Sequence, residues 1–416
     1  MKEAPVHPRF AAPGLITALQ DSPVVLVHGP RQCGKTTLAR MVGTPLGFTY
    51  LSFDDADLLA AAAADPAGFV ADLPGKVILD EVQRVPALFM PLKMAVDRDR
   101  RPGRFLLTGS ANVLLVPKLG DSLAGRMAIL RLHPLAQCEL AGQEVPFLDK
   151  LFQPSFPTRT MPRLGPELAE RIASGGFPAA LARPTASRRA AWYRDFVDTI
   201  IQRDVRDLSR IMSLDALPRL LEIAAGQTAH LLNISDLAAP FQMGRQTIRD
   251  YTTLLERVFL LEELQPWHSS RLSRLIKTPK LHLGDTGLAC SLLGVDAAGL
   301  WRDRTLLGQL LETFVYQELH RQADWAELPT RFYHFRDRDG SEVDVVLERG
   351  PHHLAGIEIK ASGTVTQADF KGLRKLKEAA GERFKAGVVL YDGEARVGFG
   401  DGLFAVPIRT LWDLGT

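Results

Sequence analysis

Short apolar runs alternate with helix-forming segments along the first 140 residues of the chain. The runs that predict buried strands are 24–27, 48–53, 76–80, 104–108 and 127–132. Strands that alternate with helices form a mostly parallel sheet whose two faces are covered by the helices. The pattern therefore predicts an α/β domain over residues 1–140.

The middle of the chain has a different pattern. Prolines and glycines interrupt 141–165, and residues 186–211 then run without either, with apolar residues three and four positions apart. This predicts a connector and a long amphipathic helix within 141–215. Over 216–300, three helical segments and a strand-like segment at 258–264 have the order of a winged helix-turn-helix.

The last segment, 301–416, returns to an α/β pattern. It predicts a helix at 306–320, a hairpin with a two-residue turn at Asp339 and Gly340, a strand at 356–360, a helix at 366–380 and a strand at 386–390. The chain as a whole is therefore predicted to be α/β, with a helical middle.

The strand at 24–27 leads into a loop that fills the pattern Gly-x-x-x-x-Gly-Lys-Ser/Thr, and a helix follows. Its glycines allow backbone N–H groups to point at phosphate oxygens, and the helix adds the positive end of its dipole. Lys35 can reach the β and γ phosphates, while Thr36 offers a hydroxyl to Mg²⁺. We therefore predict an ATP and Mg²⁺ site. The residues expected to contact nucleotide are Gly29, Pro30, Arg31, Gln32, Cys33, Gly34, Lys35, Thr36 and Thr37.

Two acids end the strand at 76–80. Asp80 is expected to hold Mg²⁺, directly or through water, and Glu81 to polarise the attacking water. Among the polar residues after the next strand, Thr108, Ser110 and Asn112, we select Ser110 as the one that senses the γ-phosphate.

Arg126 has two interpretations that the sequence leaves open. It is either a nucleotide-contacting residue, as a finger to a neighbouring subunit or a sensor in its own chain, or a surface arginine at a helix end. The finger would require a homo-oligomer.

With these residues in place, the N-terminal segment resembles the AAA+ superfamily of P-loop ATPases. The resemblance rests on the loop, on Asp80 and Glu81, and on the segment from Thr108 to Ser110. It implies an ATPase with a parallel sheet.

The winged-helix pattern leaves two functions open. Gln242, Arg245, Gln246 and Arg249 would face DNA if the third helix enters a major groove. The alternative is a module that contacts proteins. A basic strip from Ser269 to Lys280 is expected either to follow phosphates or to be a solvated loop; its cations are Arg271, Arg274, Lys277 and Lys280.

Four residues of the last segment have the placement of a metal-dependent nuclease site. Carboxylates from neighbouring elements make a hard oxygen site for Mg²⁺, and a lysine can orient the nucleophile. A solvent-facing strand is the alternative, because the pattern is short. The set consists of the metal ligands Glu312, Asp344 and Glu358 and of Lys360, with Asp344, Glu358 and Lys360 as catalytic residues.

The order of these elements resembles the restriction-endonuclease-like fold. Nearly the whole chain is similar to prokaryotic ATP-binding proteins that join an AAA+-like domain, a winged helix and an endonuclease-like C-terminal domain. Further marks of this resemblance are residues 79–83, residues 175–178, and Asp285 with Gly287. One departure is that Glu342-Val-Asp344 stands where the nuclease signature has Pro-Asp.

This resemblance implies an ATPase that acts on DNA. The alternative is a protein-interaction switch, in which the nuclease-like domain is inactive and binds an unknown protein partner.

Composition narrows the class of protein. The chain has 46% hydrophobic and 24% charged residues and a net charge of +2, so any nucleic-acid surface must be local. Its three cysteines have no metal-ligand spacing, which favours a reducing compartment. The N-terminus lacks a signal-peptide core and no apolar run is long enough for a membrane span. These features predict a soluble cytoplasmic protein.

Overall fold

The computed structural model describes residues 7–110, 123, 125–154, 156–206, 214–268, 278–337 and 339–413. The chain divides into two compact units. The N-terminal unit comprises Pro8–Leu135 with Arg257–Phe259, and the C-terminal unit comprises Met1–His7, Ala136–Glu256 and Leu260–Thr416. Each unit is described by itself.

The N-terminal unit is built on a five-stranded sheet. The strands are β1 Val24–His28, β2 Thr49–Ser52, β3 Val77–Asp80, β4 Phe105–Gly109 and β5 Met127–Arg131. Their order is β2-β3-β4-β1-β5, and every neighbouring pair is parallel. The predicted parallel α/β domain is confirmed, with strand limits that differ by a few residues from those expected.

Helix α1 Ala12–Asp21 precedes β1. The segments between the strands contain α2 Lys35–Gly43, α3 Ala56–Ala64, α4 Pro66–Ala71 and α5 Phe89–Arg98, with short 3₁₀ turns at Val82–Arg84 and Pro86–Leu88. Successive residues of β1 serve two cores. Val24 and Leu26 pack with Leu92, whereas Val25 and Val27 pack with Leu38. Because side chains alternate across a strand, this burial on both sides places helices over both faces.

The C-terminal unit begins with helices and short strands. The helices are α6 Gln137–Ala141, α7 Phe147–Phe152, α8 Pro166–Ser174, α9 Pro178–Leu181, α10 Ala186–Ile200, α11 Ala216–Gly226, α12 Ile234–Ala238, α13 Arg245–Arg257, α14 Thr286–Leu292, α15 Ala297–Arg302, α16 Arg304–Trp325 and α17 Lys371–Ala380. Shorter 3₁₀ turns lie at Gln367–Phe370, Gly381–Arg383 and Ile408–Leu411.

A seven-stranded sheet organises the end of the chain. Its strands are β6 Arg159–Thr160, β9 Arg331–Arg336, β10 Glu342–Arg349, β11 His353–Lys360, β12 Phe384–Tyr391, β13 Ala395–Gly398 and β14 Leu403–Pro407. The order is β6-β13-β14-β12-β11-β10-β9. A separate antiparallel pair joins β7 Leu261–Leu264 to β8 Lys280–Leu283. The mixed α/β class is confirmed for this unit also.

The long helix predicted from Ala186 is α-helical to Ile200 and continues through a π-helical turn at Ile201–Val205, and residues 207–211 lie outside the described part of the chain. Two local predictions need correction. The segment predicted as a connector supplies β6, which pairs with β13. The loop between β9 and β10 spans 337–341 and is longer than the expected two-residue turn.

The four-domain division stays a prediction. In the part of the chain that the structure describes, none of the helices is long and apolar enough to cross a membrane.

Candidate functional site

The phosphate loop lies between β1 and α2. Gly29 has φ +155°, and a Cβ there would overlap the carbonyl oxygen of Leu132. Gly34, immediately before α2, has φ +103°, a conformation that L side chains rarely adopt. Both glycines are therefore required by the backbone path, as expected for a loop that wraps a phosphate.

Lys35 is buried at the start of α2. Its ammonium donates to the carbonyl oxygens of Gly29, at 3.0 Å, and Pro30, at 2.7 Å. These bonds hold the lysine against its own loop, and an ammonium has a third N–H in addition. The side chain thus lies against the loop that is predicted to bind phosphate.

The other loop residues have distinct environments. Pro30 and Cys33 are buried, and Arg31 is half-buried. The Cys33 thiol donates to the carbonyl of Leu132 at 3.2 Å, a structural contact in the protein interior. Gln32, which has φ +59°, and Thr37, in the first turn of α2, are exposed.

Arg9 is a residue of this site that the sequence analysis missed. Its guanidinium donates to the carbonyl oxygens of Cys33, at 2.6 Å, and His133, at 2.7 Å. It thereby ties the phosphate loop to the segment that follows β5. No sequence motif marks Arg9, because the contact joins positions 24 and 124 residues apart.

Asp80 lies at the end of β3 and faces the loop helix. The Thr36 hydroxyl donates to its carboxylate at 3.0 Å, the Tyr50 hydroxyl donates at 2.7 Å, and Thr108 donates as well. Burial and the bond to Asp80 raise the pKa of Tyr50 to about 12, so Tyr50 stays a donor. Tyr50 and Thr108 were not predicted to contact Asp80.

This donor set fits Mg²⁺. Thr36 and Asp80 bring a hydroxyl and carboxylate oxygens together, and Mg²⁺ prefers oxygen ligands, of which only one or two come from protein carboxylates. Those two side chains would hold the ion. When bound, Mg²⁺ would neutralise charge on the phosphates of ATP.

Glu81 follows Asp80 and has the left-handed backbone conformation φ +56°, ψ +43°. Its carboxylate accepts from Ser110 at 2.9 Å and from Gln83, and Gln83 donates to Ser110 at 3.0 Å. The structure thus brings Ser110 beside Glu81, next to Asp80. Gln83 is a second residue that the sequence analysis assigned no role.

Arg126 forms an ion pair with Asp97 of α5, at 2.6 Å. The contact lowers the pKa of Asp97 through the hydrogen bond from Arg126. A contact of Arg126 with nucleotide stays a prediction. Asn112, considered beside Ser110, lies outside the described residues.

The predicted acidic set of the C-terminal unit surrounds a lysine. Lys280 of β8 is 2% exposed, and its ammonium lies 2.5 Å from Glu312, 3.1 Å from Glu342 and 3.3 Å from Asp344. The predicted ligands Glu312 and Asp344 are therefore brought together, with an unpredicted cation between them. Lys280 had been assigned to the exposed basic strip, and its burial corrects that placement; residues 269–277 of the strip lie outside the described part.

The remaining members of the set lie on β11. Glu358 and Lys360 are on one face, as their spacing predicted, and form an ion pair at 2.7 Å. The second oxygen of Asp344 accepts the backbone N–H of Ile359 at 2.9 Å. Glu312, Asp344 and Lys360 line a cavity of about 500 Å³, together with His230 and Arg304.

Ionisation of these groups reflects burial. Burial, then Asp344, raises the pKa of Glu358 to about 8 and that of Glu312 well above its usual range. Burial opposes the charge of Lys280, but Glu312, Asp344 and Glu342 outweigh it and raise its pKa above the ordinary value.

The acidic set does not fit a divalent metal. Among the described residues, no group of three or more His, Cys, Asp or Glu side chains is arranged to hold a metal ion. The place between Glu312 and Asp344 is taken by the ammonium of Lys280.

Two marks of the resemblance meet in a buried hydrogen-bond network. Asp285 accepts from the Tyr193 hydroxyl at 2.7 Å and from the backbone N–H of Gly176 at 2.8 Å, and it pairs with Arg321 at 3.4 Å. Because every partner is buried within the C-terminal unit, the segments at 175–178 and 285–288 stabilise this fold.

The residues expected to face DNA differ in environment. Gln242, Arg245 and Gln246 are exposed. Gln246 donates to Asp250 at 2.9 Å, and Arg249 pairs with Glu263 of β7 at 2.8 Å. Arg249 is thus engaged within the unit.

Three family models match successive parts of the chain. An AAA domain matches residues 21–141, and two domains of unknown function, DUF8612 and DUF4143, match residues 165–299 and 307–411. The AAA match covers the phosphate loop, Asp80, Glu81 and Ser110.

Among solved structures, the Walker-type ATPase PABY2304 of Pyrococcus abyssi is similar at 14% identity and a TM-score of 0.42, over 68% of this chain and 94% of that one. The RuvB Holliday junction branch migration motor of Thermotoga maritima is similar at 17% identity and a TM-score of 0.26, over 62% and 89%. These scores are too low to carry an inference.

Two curated relatives match almost the entire chain. They are the uncharacterized proteins Rv2008c of Mycobacterium tuberculosis and Mb2031c of Mycobacterium bovis, each 30% identical over 414 residues, which are 99% of this chain and 86% of the relative. The chain therefore belongs to the same family as these two mycobacterial proteins, and its N-terminal part is an AAA+-like P-loop ATPase domain.

Proposed function

We propose that this protein binds and hydrolyses ATP in the N-terminal unit and that its nucleotide state controls DNA binding by the C-terminal unit. The observation that carries the first part is the convergence of Lys35, Thr36, Asp80 and Glu81 at the carboxyl edge of one parallel sheet. Ligands bind at this edge in open α/β sheets.

The roles of these residues follow from their contacts. Thr36 and Asp80 supply oxygen ligands for Mg²⁺, and Lys35 supplies positive charge beside the phosphates. Glu81 is the base or water-positioning group, and Ser110, bonded to it, would respond to the γ-phosphate. Hydrolysis would alter the contact between Ser110 and Glu81 and so change the conformation of the N-terminal unit.

DNA binding is supported by the order of elements between α11 and β8. Three helices precede an antiparallel strand pair, which is the order of a winged helix-turn-helix. The exposed Gln242, Arg245 and Gln246 lie at or just before the start of α13, the helix that would enter a groove.

A protein-interaction switch with an inactive nuclease-like fold is the second candidate. The observation that favours it is the ammonium of Lys280 in the acidic set, where a nuclease would place a metal. In this case the partner of the C-terminal unit would be another protein. A cytoplasmic location and a homo-oligomer stay predictions.

Turnover of ATP tests the first part of the proposal. Lys35→Ala should reduce turnover by about 10²-fold or more, because it removes charge from the phosphates. Lys76→Ala, which changes an exposed lysine of the same unit, should leave turnover unchanged. Unaltered turnover in Lys35→Ala would refute hydrolysis at this loop.

Duplex affinity in the presence of ATP or ADP separates the two candidates. DNA binding predicts an affinity that differs between nucleotides and falls linearly with the logarithm of salt concentration. Arg245→Ala should reduce that slope by about 1 if Arg245 contacts a phosphate. Affinity that is absent at low salt in both nucleotide states would favour the protein switch.

A further inference from the structure

The position of Lys280 at the start of β8 places its side chain in the acidic set. Residues of β8 alternate in side, and Lys280 and His282 both face α16. There Lys280 meets Glu312, and His282 lies 3.1 Å from the hydroxyl of Thr313. Both side chains are buried, so neither is a surface group that has folded over an acidic cleft.

Carboxylates surround the ammonium of Lys280. It has three N–H donors, and three carboxylates lie within ion-pair distance, those of Glu312, Glu342 and Asp344. The acids come from α16 and β10, so a single cation joins three elements. The β10 strand is irregular between Val343 and Val346, next to Asp344, and such bulges re-aim side chains.

Asp344 and Glu358 make further contacts, although the Oε2 atom of Glu358 is buried and has no hydrogen-bond partner among the described residues. The second carboxylate oxygen of Asp344 accepts the backbone N–H of Ile359, and Glu358 forms an ion pair with Lys360. A divalent ion that contacted Glu312 and Asp344 would lie close to the ammonium of Lys280, because the same oxygens contact that ammonium. Repulsion between the cations in a buried site would oppose its binding.

We propose that Lys280 is the resident cation of this acidic set, that it takes the place of a divalent metal, and that it fastens β8 to α16 and β10. The C-terminal site is accordingly a metal-independent ion cluster and does not perform metal-dependent DNA cleavage. This inference concerns the C-terminal unit alone, so ATP turnover and the Lys35→Ala result do not decide it.

Removal of the resident charge should allow Glu312 and Asp344 to close around a metal ion, which their arrangement around Lys280 does not hold. Full-length protein without nucleotide is titrated with Mn²⁺, and free Mn²⁺ is measured by electron paramagnetic resonance. An Asp80→Asn background removes the carboxylate of the N-terminal unit. We expect the Asp80→Asn protein to bind no Mn²⁺ through Asp344. When Lys280→Met is added to this background, the protein should bind about one Mn²⁺ ion, and a further Asp344→Asn substitution should abolish that binding.

Matched variants make the result specific. Lys371→Met changes an exposed lysine in the same unit and should gain no ion. A folded Lys280→Met protein that binds no Mn²⁺ would overturn the claim that the ammonium excludes metal.

The protein with Lys280 intact provides a test that needs no core substitution. Stoichiometric Mn²⁺ binding that is lost in Asp344→Asn would overturn the proposal, even if Lys280→Met failed to fold. Equal binding with and without Asp344→Asn supports it. Duplex DNA incubated with Mg²⁺ or Mn²⁺ should stay intact, and cleavage that disappears in Glu358→Gln would also overturn the proposal.

Discussion

The hydroxyl of Thr36 lies 3.0 Å from each carboxylate oxygen of Asp80, although 44 positions separate the two residues in the chain. The contact arises because α2 begins and β3 ends at the same edge of the parallel sheet. It unites the start of the loop helix with the end of an acidic strand. The pair forms the part of the N-terminal site suited to Mg²⁺.

Thr36→Ala should remove a metal ligand while leaving the loop backbone in place. We expect turnover of ATP to fall by about 10²-fold and the Mg²⁺ concentration needed for half-maximal turnover to rise. A Mg²⁺ titration of steady-state turnover measures both. Thr44→Ala, an exposed threonine just after α2, is the control. An unchanged Mg²⁺ requirement in Thr36→Ala would contradict the assignment.

Glu81→Gln should separate binding from hydrolysis. The amide keeps the size of the side chain and loses its charge, so turnover should fall by about 10²- to 10⁴-fold. Affinity for ATP should change little, since the role that we propose for Glu81 is to act on water. Single-turnover hydrolysis and equilibrium binding measure the two effects, with exposed Asp72→Asn as control. A parallel loss of affinity and turnover would instead indicate a role in folding the loop.

Arg9→Ala should loosen the phosphate loop from the segment after β5. Its two charge-assisted hydrogen bonds, to the carbonyls of Cys33 and His133, would be lost. We expect the Kd for ATP to rise by about tenfold, as for the loss of roughly 1.4 kcal/mol. Titration with a fluorescent ATP analogue measures it, with exposed Arg101→Ala as control. If both variants bind equally well, Arg9 does not support the loop.

Glu256→Gln should change how stability depends on pH. Burial, then Glu263, raises the pKa of Glu256 from 4.5 to about 8 in the folded protein. Between these values the folded state keeps a proton that the unfolded state has lost. The free energy of unfolding should therefore fall as pH rises through this window, by on the order of 1 kcal/mol per pH unit.

The glutamine variant lacks this titration, so its stability should vary less between about pH 6 and about pH 8. Urea unfolding at both pH values measures the difference between variant and unaltered protein. Exposed Glu222→Gln on α11 should retain the full dependence. Equal pH dependence in all three proteins would show that Glu256 titrates normally.

Local sequence determined the phosphate loop. Gly29 and Gly34 are needed for backbone reasons that act within a few residues, and the strand before them and the helix after them have their own hydrophobic periodicity. The same holds for Asn233 at the start of α12, whose side chain accepts the N–H of Ser235. Interactions over so short a span can be read from the order of residue types.

Sequence also predicted which side chains end β3 and β4, because alternation and the carboxyl edge of a parallel sheet constrain them. It could not predict that Arg9 contacts the phosphate loop or that Gln83 contacts Ser110. Each contact depends on how segments that are separated in the sequence meet at the edge of the sheet, which no local pattern specifies.

Tertiary structure alone decided the character of the acidic set. The spacing of Glu358 and Lys360 placed both on one face of β11, as period-two alternation requires. Lys280 reaches the same place from β8, 64 residues before Asp344, and from the sequence it resembles one more cation in a basic strip. Only packing of β8 against α16 buries its charge among the carboxylates, and burial decides whether such a site holds a metal or an ammonium.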